Sequence, residues 1–344
     1  MAAIPDFKFD LERTKGWTGP GGSAVQHTVN EFPVSTSFAA VSMRLQPGAL
    51  RELHWHAVSA EWAYMVSGRC RVTVVAPSGD AEIADFGPGD VWYFPKGHGH
   101  SIQGLGTEEC HFLLVMDDGR FSEFGTFSIT DWISRTPPDV LAQNLNITPA
   151  DIARLPKEEV YIVQGDVPPE EPPGMRNAQQ LQSQRSHKYR LGASPLLTFA
   201  GGTERVVTSQ QFPISTTITG VVMTLRPGGL RELHWHPNAD EWQYYIKGRS
   251  QIGVFAAHGN YREEEFGPGQ VAFIDRGFGH YIKQIGNEET QILIAFNSPD
   301  YQEISLSTWL SSNPLSLLET NFGVDAAMIE KMPDHRLKIV GAAR

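Results

Sequence analysis

A hexapeptide that occurs twice sets the terms for this chain. Arg51-Glu52-Leu53-His54-Trp55-His56 returns letter for letter as Arg231-Glu232-Leu233-His234-Trp235-His236. Glu61 follows the first copy and Glu241 the second, and His100 and His280 come later at matching distances. Each counterpart lies 180 residues on, and Phe32-Pro33-Val34-Ser35-Thr36 is echoed at the same offset by Phe212-Pro213-Ile214-Ser215-Thr216. Self-similarity on that scale repeats a domain and not merely a motif. The chain must therefore fold as two copies of one architecture, each bringing three imidazoles and a carboxylate into play.

The stretches around the hexapeptides indicate which architecture. Val41–Leu45, Trp62–Val66, Cys70–Val75, Val91–Phe94 and Cys110–Val115 are short and apolar, and turn residues such as Pro47-Gly48, Gly68 and Pro95-Lys96-Gly97 close them. Short strands at this spacing predict an antiparallel sandwich or barrel. No helical pattern intervenes, which disfavours a parallel α/β sheet. The expected class is all-β, two jelly-roll domains in tandem with short flanking helices.

Residues 1–30 are polar and Gly-rich and are expected to form an arm wrapping an edge. Residues 131–157 change character, and Thr148 before Pro149 is a natural N-cap followed by an N1 proline. Two short helices are expected there, with a second pair near the C-terminus. Val167 to Pro173 reads as a stiff extended linker, and Gln179 to His187 as a polar lead into the second domain. The expected division is 1–166, a linker over 167–186, and 187–344.

A formal charge of −11 argues against nucleic acid and anionic membranes as partners, since both need a basic footprint. A small anionic substrate stays admissible, because a metal and a local arginine reverse the sign inside a pocket. No run of about 18 apolar residues occurs. The N-terminus lacks the basic and apolar regions of a signal peptide, so a cytoplasmic location is expected, or a secreted or periplasmic one had a signal been removed. Cys70 and Cys110 sit in apolar, strand-like surroundings and are expected to be buried free thiols.

Residues two apart on a strand face one side, so His54 and His56 can reach one ion. Glu61 would open the next strand, and His100 would return from a distant one. His234, His236, Glu241 and His280 would do the same in the second half. Three nitrogens and one carboxylate, with no cysteine, suit Mn(II) or Fe(II) and leave two positions open. His98 and His111 fall outside the pattern. Trp92 has two readings, a wall of the pocket or core packing, and core packing is the one expected.

Gly48-x5-His54-x-His56-x4-Glu61-x6-Gly68 and Gly89-x5-Pro95-x-Gly97-x2-His100 match the two cupin motifs. The second half repeats them through Gly228, Gly248, Gly269, Gly277 and His280, with Asp275 where the motif has proline. With the duplicated hexapeptide, the chain resembles the bicupin oxalate decarboxylases over nearly all of residues 5–340. The resemblance implies two cupin (double-stranded β-helix) domains and one Mn(II) in each, with Fe(II) the lesser alternative. It also implies O2 as redox cofactor, conversion of oxalate to formate and carbon dioxide, and a homo-oligomer, trimer or hexamer.

The halves differ after the last histidine. From His100 to Trp132 is 32 residues, against 29 from His280 to Trp309. The extra residues fall around Asp118–Thr126, a Gly-flanked polar stretch able to act as a lid. In the decarboxylases the matching loop reads Ser-Glu-Asn-Ser-Thr. Here Ser122, Glu123 and Thr126 keep their places, while Phe124 and Gly125 replace two side chains that would steady a closed lid. The resemblance makes Glu123 the proton-handling group and assigns Arg51, with Thr126, to the substrate. Strict strand alternation sets Arg51 opposite His54, so that role needs a bulge or twist. Arg231 would give the second half a carboxylate-binding group. Glu303 aligns better with Thr126 than with Glu123, so with no matching lid acid that half is expected to be structural or electron-relaying. Three other readings stay open: an oxalate oxidase giving carbon dioxide and hydrogen peroxide, a non-catalytic storage-type bicupin, and a Mn or Fe cupin acting on another small acid.

Overall fold

The computed structural model describes residues 4–172 and 185–342. Part of the expected linker, including Pro173 and most of Gln179 to His187, lies outside the described residues. Strands dominate and form two compact units. One comprises residues 14–31 and 38–193, and the other residues 1–13, 32–37 and 194–344.

The first-repeat unit has a seven-stranded sheet in the order Lys188–Tyr189, Val91–Phe94, Glu61–Ser67, Cys110–Met116, Ala39–Leu45, Gly22–His27, Trp17–Gly19. Its other sheet runs Phe127–Ser128, Leu50–Trp55, Gly99–Leu105, Arg69–Val75, Ala81–Phe86, and Ile162–Val163 also pairs with Leu50–Trp55. The pairings are antiparallel. Met43, Met65, Trp92, Phe112 and Leu114, from the first sheet, meet Val72, Val74 and Ile102, from the second, in one buried cluster. The second-repeat unit has the same plan: a sheet containing Glu241–Lys247 and one containing Leu230–Trp235 enclose Met223, Tyr245, Ile252, Ile282 and Phe296. This is the jelly roll the alternating stretches predict. The two cysteines are buried and free.

The units do not follow a cut at 166 and 187. Lys8–Asp10 adds to the edge strand Gln270–Ile274, with Lys8 opposite Ala272, and Ile4 and Phe7 enter that unit's core. Lys188–Tyr189 adds to Val91–Phe94, with Lys188 opposite Trp92. An uncovered sheet edge leaves backbone donors and acceptors open, and each short segment closes one. The expected arm over 1–30 is an arm only at its start, because Trp17–Gly19 and Gly22–His27 are strands.

Three helices close each unit, not two: Ile129–Arg135, Pro138–Leu145 and Pro149–Ile152, then Leu306–Ser311, Leu315–Phe322 and Ala326–Ile329. Pro137-Pro138 breaks what reads as one helix in sequence. Thr148 caps Pro149–Ile152 with a reciprocal box to Asp151, as its spacing predicts. No helix among the described residues is long and apolar enough to cross a membrane.

His27 is fully buried, and burial pushes its imidazole down to about 3. A folded-state value below the unfolded one means that protonation favours unfolding. Stability from this group is full above about pH 6.5 and falls by up to ~1.4 kcal/mol per unit as pH drops toward the folded value. His27→Asn should therefore lose less melting temperature between pH 7 and pH 5 than the parent, read by calorimetry at both.

Candidate metal centres and the acid beside one of them

His54 lies on Leu50–Trp55, His56 just past its end, Glu61 at the start of the next strand, and His100 directly across from His54. The turn before His100 is tied back to the site, because the Gly97 N–H donates to the His56 carbonyl at 2.8 Å. Gly97 has φ +80°, which favours glycine at that corner. His234, His236, Glu241 and His280 repeat the arrangement, with Gly277 donating to His236 at 3.0 Å. In each group the four possible ligand atoms lie within 4.8 Å of one another, and all eight residues are buried. His98 and His111 lie outside both groups.

The alternation problem at Arg51 is solved by a bulge. His100 pairs with His54 and Ile102 with Arg51, so three steps on one strand face two on the other. Arg51 and His54 both turn inward. Glu52 is buried elsewhere, accepting from the Thr130 N–H and hydroxyl at 3.1 and 2.7 Å and from the Tyr161 N–H at 2.8 Å. Arg231 pairs with Ile282 and His234 with His280, the same shift in the second repeat.

Hydrogen bonds aim the imidazoles. His54 Nδ1 donates to the Glu52 carbonyl at 2.6 Å and His100 Nδ1 to the His98 carbonyl at 2.9 Å, which leaves each Nε2 lone pair facing the group. Burial, then Arg51, hold His54 well below the usual imidazole range, and burial takes His56 down to about 3. Burial pushes Glu61 up, but His100, His56 and the Trp92 N–H outweigh it and keep the carboxylate ionised. His56 Nε2, Glu61 Oε2 and His100 Nε2 are buried without a hydrogen-bond partner among the described residues, and in the second repeat His236 Nε2 and His280 Nε2 crowd one oxygen, Glu241 Oε2, at 2.9 and 3.0 Å. Unpartnered buried polar atoms are costly. One divalent cation per group satisfies them, so neutral imidazoles and an anionic oxygen fit the ion that the sequence implies.

Trp92 does more than pack. Fully buried, it donates from Nε1 to Glu61 Oε1 at 2.6 Å and so fixes which carboxylate oxygen faces the histidines. In the second repeat Gln243 Nε2 does this for Glu241 Oε1 at 2.7 Å. The sequence points to Trp92 as a packing residue and not as a partner of Glu61, and nothing in it marks Gln243. Partners of this kind change metal affinity by ~10–100-fold. Trp92→Phe should weaken the first-repeat site by that factor and spare the second, read by metal titration.

Glu123 is fully buried beside the first group. Its Oε1 accepts from Arg51 Nε at 2.8 Å and from the Tyr161 hydroxyl at 3.3 Å, and its Oε2 has no partner among the described residues. Arg51 also donates to Thr126 Oγ1 at 2.7 Å and lies over the Tyr161 ring, 4.3 Å from its centroid. Burial raises the Glu123 carboxyl above its ordinary range. Arg51 opposes the shift and Glu61 adds to it. Tyr161, at φ +54°, is a participant that motif reading does not reveal.

The second repeat holds a carboxylate on its arginine at the register of Thr126: Glu303 pairs with Arg231 and Arg336 and accepts from the Tyr301 hydroxyl at 2.6 Å. Arg231 also lies 3.7 Å from Glu204, which pairs with Lys338 at 2.6 Å. Lys338 (φ +59°) stands where Tyr161 stands in the first repeat, its carbonyl accepting from the N–H that follows the arginine. Glu303 thus takes the place of Thr126 and not of Glu123, as its alignment predicts, and two cations and a phenol engage it.

The cupin family profile matches residues 12–153 and 191–330. The chain is 41% identical to oxalate decarboxylase OxdC of Bacillus subtilis (strain 168), over 92% of this chain and 82% of that protein. A probable oxalate decarboxylase of Arthroderma benhamiae is 33% identical, over 98% and 83%. Germin-like protein 3-7 of rice (Oryza sativa subsp. japonica) is 32% identical over 35% of this chain and 54% of its own length. A solved structure of Bacillus subtilis oxalate decarboxylase, described through its Mn(II) centres, superposes with TM-score 0.94 at 38% identity, covering 100% of this chain and 90% of that one. Two matched domains, near-complete coverage and a shared three-dimensional arrangement leave one conclusion: the chain belongs to the bicupin oxalate decarboxylase family of the cupin superfamily.

Proposed function

We propose that the protein is a manganese-dependent oxalate decarboxylase that uses O2 as redox cofactor and works at the first-repeat site. The observation that carries this is Glu123 Oε2, a buried carboxylate oxygen without a partner, held beside the His54, His56, Glu61 and His100 group by Arg51. The eight histidine and glutamate side chains of the two groups would hold one ion per repeat. When bound, Mn(II) supplies Lewis-acid binding of a carboxylate and, with O2, one-electron redox capacity.

The chain's own residues do the rest. Arg51 pairs with the substrate's negative charge, for which it must release Glu123 and Thr126. Glu123 Oε2 takes the carboxyl proton and later returns it to the carbon left after loss of carbon dioxide. In balance, hydrogen oxalate gives formate and carbon dioxide: the C–C bond breaks and one proton moves from oxygen to carbon. A raised carboxyl suits a group that must both accept and give. Both oxygens of Glu303 are engaged, by Arg231, Tyr301 and Arg336, whereas Glu123 Oε2 is open, which supports placing the chemistry in the first repeat. Exposed Trp132, Trp309 and Leu317 on the closing helices support a homo-oligomer, a trimer or hexamer, measurable by light scattering.

Product identification from oxalate under air, with metal analysis of the same sample, tests the proposal. Formate in step with oxalate consumed, and manganese near two per chain, is the expected result. Hydrogen peroxide with two carbon dioxide per oxalate would replace it with an oxidase.

A further inference from the structure

The loop that carries Glu123 has a fastening outside the substrate-binding set. Gln26 lies on Gly22–His27, a strand with no metal-ligating residue. Its Oε1 accepts from the Glu123 N–H at 2.8 Å, and its Nε2 donates to Ser122 Oγ at 3.2 Å. The Val29 N–H donates to the Gly119 carbonyl at 2.6 Å before this segment and Phe127 pairs with Trp55 after it, but between them the other polar contacts to the barrel run through reacting groups: Arg51 to Glu123 and Thr126, and Tyr161 to Glu123. Phe124 and Gly125 are exposed and supply no side-chain hydrogen bond.

The second repeat is built differently at both ends of this contact. Gln26 pairs with Val41 in its sheet, and the residue at the same register opposite Val221 is Val206. There the loop is fixed to a candidate metal ligand, with His236 Nδ1 donating to the Gln302 carbonyl at 2.7 Å. In the first repeat His56 Nδ1 has no hydrogen-bond partner among the described residues. The first-repeat loop thus has no hydrogen bond to that ligand, only the packing of Phe121 on the His56 ring with centroids 4.8 Å apart, and at Glu123 its backbone is held by Gln26.

We infer that Gln26 is the latch of this loop, holding its backbone over the site while Arg51 changes partners from Glu123 and Thr126 to the substrate. The inference rests on the decarboxylase reading. If Arg51 must leave Glu123 to bind oxalate, a contact that survives the exchange is needed to keep Oε2 in place. Gln26 touches no substrate and is a positioning residue. Its loss should lower turnover more than substrate affinity, and should divert product. With the proton donor absent, oxalate, O2 and two protons go to two carbon dioxide and hydrogen peroxide.

The test compares the parent with Gln26→Val, the second-repeat residue, and Gln26→Glu, which keeps the acceptor oxygen. One neutral hydrogen bond changes a local opening equilibrium by ~3–10-fold. Deuterium exchange in residues 118–127 should therefore quicken by that factor in Gln26→Val, while exchange in Glu61–Ser67 stays as in the parent. Formate kcat should fall by a similar factor at near-constant KM, with a higher ratio of peroxide to formate, and Gln26→Glu should recover most of both. Unchanged exchange in 118–127 overturns the latch whatever happens to turnover. So does faster exchange spreading to Glu61–Ser67, which would mark general loosening. A parent that makes no formate from oxalate ends the decarboxylase reading, and the exchange comparison still decides the latch.

Discussion

Glu123→Ala should lower formate production from oxalate by about 10²–10⁴-fold, the range a positioned general acid–base contributes, and leave the metal content of both sites unchanged. The two halves of that expectation have separate causes. Glu123 stands outside the candidate ligand group, so its loss removes no ligand atom. It is the group on the loop with a buried, unpartnered oxygen, so nothing else there can shuttle the proton. Removing it also strands the buried Arg51, whose charge Glu123 now matches at 2.8 Å. An unmatched buried charge costs ~3–5 kcal/mol, so the variant should melt at a lower temperature and regain part of the loss when a small dicarboxylate is added. Formate at parental levels would remove Glu123 from the chemistry.

His100→Ala should lose one of two ions per chain and with it essentially all formate. His100 is opposite His54 across the strand pair, its ring centroid 4.1 Å away, and its Nε2 is one of the atoms a cation would satisfy. Alanine leaves two imidazoles and a carboxylate. A site that binds the folded state stabilises it by ~2.7 kcal/mol at a hundredfold excess of free metal over Kd. Titrating Mn(II) into the stripped parent should raise the melting temperature through two sites, and into His100→Ala through one. Two ions retained by the variant would mean that His100 is not a ligand.

Much of this was legible without coordinates, for a physical reason. Strand alternation and turn residues are local properties, so the short strands, the buried cysteines and the Thr148 cap could be anticipated from neighbours in the chain. Duplication added a check that one copy could not offer, since eight polar residues recur with their spacing intact. Beyond nearest neighbours, legibility ended. That Arg51 faces inward depends on a bulge set by pairing with His100 and Ile102. That Trp92 orients Glu61, and that Tyr161 and Gln26 hold Glu123, depends on strands distant in sequence. That Glu303 stands where Thr126 does could be aligned from sequence, but that it pairs with both Arg231 and Arg336 could not.

By itself the sequence determined the repeat, the all-β class and the identity of the eight candidate ligands, because side-chain chemistry and periodicity are written residue by residue. Tertiary structure alone decided which edges the short segments at residues 8–10 and 188–189 close, which carboxylate each buried arginine meets, and which oxygen of Glu123 is left open. Those depend on desolvation and hydrogen-bond geometry among residues brought together only by folding.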